Sequence, residues 1–117
     1  MSIKQIAEAF SRHDFANTYS FLSDTIQWNL VGSQPLNGKP SVVATCEQSA
    51  AYLNTVVTTF EKFLVVCEEN NVVIDSLSTY VDGEQQRSKV ASCDWYRFEN
   101  GVLVEITSYT IDVNEEK

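Results

Sequence analysis

Apolar residues recur along this chain first at a helical period and then at a strand period. Ile3, Ile6, Ala7 and Phe10 predict a helix over residues 2 to about 12. Asp14 offers a cap for a second helix, in which Phe15, Tyr19 and Leu22 recur at helical spacing. TIQWNLVG reads as a strand, SQPLNGKP as a loop by its Pro, Asn and Gly content, and SVVATCEQSAAYLNTV, from Ser41, as a third helix. The texture then changes. TFEKFLVVCEE, VVIDSLSTYVD, SKVASCDWYRF and LVEITSYTIDV are four β-rich segments separated by polar turns. The last turn holds Asn100–Gly101, a pair that accepts the positive φ angles of a tight hairpin.

Helices followed by a run of strands predict an α+β domain, its helices packed on one face of a curved, mostly antiparallel sheet. Such a sheet leaves a cleft beneath the helices, the usual place for a small ligand. At 117 residues and 44% hydrophobic content the chain is expected to form one domain, residues 1–117, with its own core. No apolar run reaches the ~20 residues of a membrane helix, and MSIKQIAEAF lacks the apolar stretch of a secretory signal. A cytoplasmic protein is the expectation.

Charge narrows the partners. The net charge of −8 opposes binding to phosphate backbones, which depends on Lys and Arg, so nucleic acid is set aside. Cys46, Cys67 and Cys93 are too widely spaced for a zinc knuckle or a CxxC pair, and His13 is the chain's one histidine. Neither a metal site nor a cofactor is expected.

SCDWYRFENG carries the most conspicuous chemistry. Period-two reading places Asp94, Tyr96 and Phe98 on one strand face, with Cys93, Trp95 and Arg97 on the other. A carboxylate among aromatic residues, facing a cleft, is desolvated and becomes harder to ionise. Asp75 lies mid-strand with Leu77 on its face, where either the cleft or the exposed outer face accommodates it. Asn29 can donate and accept, which suits orienting a carbonyl or water. It adjoins Trp28, and strict alternation puts one of the two in the cleft.

HDFANTYSFLSDTIQW, VGSQPLNGKPSVV and CDWYRFENGVLVEITSY, in this element order, resemble the nuclear transport factor 2-like superfamily. That superfamily includes ketosteroid isomerase, SnoaL-like polyketide cyclases, scytalone dehydratase and limonene epoxide hydrolase. The resemblance implies a cystatin-like cone with three N-terminal helices packed on the sheet. It matches Asp94 to the isomerases' oxyanion-hole aspartic acid, a carboxylic acid kept neutral by an apolar site. It places Asn29 at their base and Ile6 at their tyrosine, so neither partner of that acid is present. Against the epoxide hydrolases it matches Asp75, while Val73 and Ser108 stand where an arginine and a second aspartate are required. It implies that Cys46 on the third helix is a wall contact.

The function expected is binding of a small, largely apolar organic molecule. The alternatives are an isomerase, lyase or cyclase using Asp94 or Asp75 as acid or base, and a protein-interaction module. The ligand contacts expected are Asn29, Trp28, Cys46, Tyr96, Leu77, Ile106, Ser108 and Tyr19. The polar-aromatic row Glu105, Thr107 and Tyr109 suits a homodimer interface on the outer sheet face, as the resemblance also implies.

Overall fold

The computed structural model describes residues 1–113; residues 114–117, counted in the expected domain, lie outside them. Helix α1 (Ile3–Ser11) starts in a reciprocal cap, Ser2 Oγ accepting from the Gln5 amide while Gln5 Oε1 accepts from the Ser2 amide. It buries Ile6, Ala7 and Phe10, the stripe its period predicted. It ends with His13 at φ 71°, its amide donating to Phe10 and that of Asp14 to Ala9. This is a Schellman closure, with histidine where glycine is the usual choice.

The expected second helix is a 3-10 helix, Ala16–Phe21, so Leu22 opens strand β1 (Leu22–Leu30) rather than closing a helix. A two-residue strand β2 (Leu36–Asn37) precedes α2, which spans Lys39–Leu53 and so starts two residues earlier than expected. Pro40 lies in its first turn, where its missing N–H is not needed. β3 (Val56–Glu68), β4 (Asn71–Asp82), β5 (Arg87–Glu99) and β6 (Val102–Val113) follow as a meander.

The six strands form one sheet in the order β2-β1-β6-β5-β4-β3, antiparallel except where β1 runs parallel to β6. Register breaks at Leu22/Gln27, Phe60/Lys62 and Arg97/Phe98 mark bulges, which bend strands and raise their twist. Both α-helices pack on the inner face. Their Ile6, Ala7, Phe10, Val42 and Cys46 meet Ile26, Ile74, Tyr96, Phe98 and Ile106 in one core.

Residues paired across a sheet share a face, so register maps both surfaces. One inner row runs Val65–Ile74–Asp94–Ser108–Leu30, and the next Cys67–Val72–Tyr96–Ile106–Trp28. The outer face carries the rows Leu64–Asp75–Cys93–Tyr109 and Lys62–Leu77–Ala91–Ile111. No helix among the described residues is long and apolar enough to cross a membrane.

Candidate functional site

A cavity of about 620 Å³ lies between the inner sheet face and the helices. Its space comes from small side chains. Beyond the Asp94 row, the inner positions of β5 that line the cavity include Ser88 and Ser92, where larger residues would fill the gap. Phe10, Phe15, Trp28, Leu30, Leu53 and Val90 supply the apolar wall, and the exposed Gln48, Tyr52, Thr110 and Asp112 line its solvent side.

Asp94 stands in this wall with two hydroxyl chains converging on it. Ser108 Oγ donates to Oδ1 at 2.6 Å and itself accepts from Trp28 Nε1 at 3.0 Å. Ser11 Oγ donates to Oδ2 at 2.9 Å and lies 2.6 Å from the Tyr96 hydroxyl. A serine has one proton to give, and Ser11 directs its own at Asp94, so Tyr96 is the donor in that pair. The two chains stabilise the carboxylate, but burial outweighs them and pushes the Asp94 pKa up. Burial and the neighbouring Asp94 together keep the Tyr96 phenol protonated far above the ordinary tyrosine range. The site can therefore present either a hydrogen-bonded carboxylate or, on protonation, a neutral acid whose own O–H turns into the cavity while the serines still donate to its oxygens.

Four of the predicted contacts, Asp94, Tyr96, Trp28 and Ser108, line the cavity. The others do not. Asp75 is half-exposed on the outer face, 3.0 Å from Lys62 Nζ, and Leu77 shares that face. The acid-base version that pairs Asp94 with Asp75 in the cavity falls with this placement. Asn29 also points outward, donating to Glu105 at 3.0 Å, so Trp28 and Leu30 are the inward residues of β1 and neither is a base. Ile6, Cys46 and Ile106 are fully buried in the core instead of lining the cavity. Burial pushes the Cys46 thiol up to about 12, leaving no reactive thiolate near neutrality. Tyr19 donates to Glu47 at 2.6 Å at an exposed position on the helical side.

Sequence reading passes over Ser11 and Tyr80 and takes His13 for a helix-end residue; all three line the cavity. Ser11 looks like an ordinary last-turn residue; its signal was its place one position beyond the buried Phe10. Among the described residues no cluster of His, Cys, Asp or Glu could hold a metal ion.

A model of the SnoaL-like domain matches residues 3–106. A nuclear transport factor 2-like protein of unknown function from Cytophaga hutchinsonii is 37% identical, over 92% of this chain and 94% of that one, with a TM-score of 0.80. A candidate polyketide cyclase from Xanthomonas campestris is 16% identical over 92% of both chains, with a TM-score of 0.70. An LEH-like epoxide hydrolase from Mycobacterium tuberculosis is 17% identical, over 93% of this chain and 82% of that one, with a TM-score of 0.69. At those last two identities the likeness is one of fold. No curated protein matches the chain.

Proposed function

The chain belongs to the SnoaL-like domain family, and from that premise we propose that its cavity binds a small, largely apolar organic molecule anchored by Asp94. One observation carries the reading: a partly buried carboxylate set on two hydroxyl chains in the wall of a largely apolar cavity. Burying a carboxylate is costly unless it is hydrogen-bonded. Here the protein keeps it facing open space rather than closing the core over it. A ligand carbonyl would accept from neutral Asp94, and a ligand hydroxyl would donate to the ionised form.

A second reading, isomerase, lyase or cyclase chemistry, has one observation in its favour. The upward shift moves Asp94 toward the range in which an acid exchanges protons near neutrality. Asp94 would then serve as the acid.

Mass spectrometry of small molecules that co-purify with the protein tests the binding reading. Wild type is expected to carry an organic ligand that Asp94→Asn has lost or retains at roughly a tenth of the occupancy, the loss of about one charge-assisted hydrogen bond. Equal retention by the mutant would remove Asp94 as the anchor. We also propose a homodimer through the outer sheet face, where Leu64, Val66, Trp95, Tyr109 and Ile111 are exposed.

A further inference from the structure

The cavity has a second polar site that binding at Asp94 leaves unused. His13 Nε2 lies 3.2 Å from the Tyr80 hydroxyl, and both residues line the cavity. The imidazole sits among aromatic rings, with centroids 5.7 Å from Phe15, 5.7 Å from Phe60 and 6.1 Å from Tyr80. Burial lowers the His13 pKa, so the ring is presented neutral. Nδ1 has no hydrogen-bond partner among the described residues. Yet no buried side-chain nitrogen or oxygen there lacks a partner, so Nδ1 is open to solvent or to a ligand.

Backbone placement points the same way. His13 occupies a left-handed position, φ 71°, that glycine would fill with less strain. It lies two residues after Ser11, which holds Asp94, so the Cα atoms of Ser11 and His13 are at most about 7 Å apart. The end of α1 thus feeds both polar sites, Ser11 toward Asp94 and His13 toward Tyr80.

Resting on the cavity-binding reading above, we propose that His13 and Tyr80 form a second hydrogen-bonding station. The ligand class is then an apolar body with two separate uncharged oxygen functions. One meets Asp94 and the other, a hydroxyl or carbonyl, meets the His13–Tyr80 pair. The pair suits either function. When Tyr80 donates to Nε2, its oxygen remains an acceptor; when Nε2–H donates to Tyr80, the phenol proton is free for the ligand. A carboxylate is disfavoured, because Asp94 and Asp112 already line the cavity and the imidazole is neutral.

Calorimetric titration with 2-naphthol and 2,6-dihydroxynaphthalene tests this. In wild type the second hydroxyl is expected to tighten binding about tenfold, near the upper end of one net hydrogen bond. Tyr80→Phe, which removes only an oxygen, should abolish that gain while leaving 2-naphthol within about twofold of wild type. His13→Asn tolerates the left-handed backbone but is too short to reach Tyr80, and should abolish it too. Asp94→Asn should weaken both probes by one common factor. Equal affinity of wild type for the two naphthols, or a gain that survives Tyr80→Phe and His13→Asn, overturns the station and leaves the cavity reading intact. If neither probe binds wild type, both readings fall together.

Discussion

Asp94 shows how a single side chain can carry opposing demands. Two serines donate to it, which favours the carboxylate, while burial favours the acid and prevails. Its pKa is higher in the folded than in the unfolded chain. Its contribution is therefore fully present below the unfolded value and is lost as pH rises through the folded one. Asp94→Asn has no such titration, and the serine hydroxyls can turn to suit an amide. Thermal melts between about pH 4 and pH 8 should show the melting-point difference, mutant minus wild type, growing with pH and then levelling off. A difference that stays flat would show that Asp94 has the same pKa folded and unfolded. The residue was legible because Tyr96 and Phe98 fix the inward parity of β5. Asp75 was not, because on β4 the apolar signal misleads: Leu77 and Val73 face outward, while Ser76 and Ser78 are buried. Polar side chains rather than apolar ones thus mark the inside of that stretch of β4.

At the scale of elements, the turn chemistry was the clearest text. Asn100 and Gly101 have φ 52° and 80°, the two positive angles of a tight hairpin whose flanking residues Glu99 and Val102 pair directly. A methyl group added at Gly101 would meet nothing within 4 Å, so Gly101→Ala costs only backbone strain. Chemical denaturation should register a loss of about 1 kcal/mol with cavity binding unchanged. A loss above about 3 kcal/mol would mean that the hairpin does more than turn the chain. Helix ends were harder to read. The Schellman closure at His13 uses a residue that composition does not mark as a helix stop, and the 3-10 turn after it mimics α-helical spacing over six residues. On β1, shifting the inward parity by one exchanges Asn29 for Trp28, as any one-residue change of face must. The loss of the candidate base position and the gain of the Trp28–Ser108–Asp94 chain are thus one correction.

For the whole molecule, element order carried the fold: helix, helix, strand, helix and four long strands leave a sheet with one face to cover. The helices cover the inner face, and what meets the outer one is a question of self-association. Its rows place Leu64 beside the Lys62–Asp75 ion pair on β3 and β4, with Tyr109 and Ile111 farther across the sheet on β6 and Trp95 in the row next to that of Leu64. An apolar patch whose neighbouring charges are already paired can meet its own two-fold copy without burying an unpaired ion. Opposing this, each protomer carries a net charge of −8, so two copies repel at long range. Added salt screens that repulsion but weakens apolar contact little, so dimerisation should strengthen between about 0.05 and 0.5 M salt. Light scattering coupled to size exclusion should give a dimer mass for wild type at roughly 100 µM, a concentration at which a micromolar interface is filled. Trp95→Glu places like charges across the two-fold axis at an exposed position, and should return a monomer that melts where wild type does when diluted below its dimer dissociation constant. A wild-type monomer at high salt would sink the interface, and a dimer that persists in Trp95→Glu would move it to another surface.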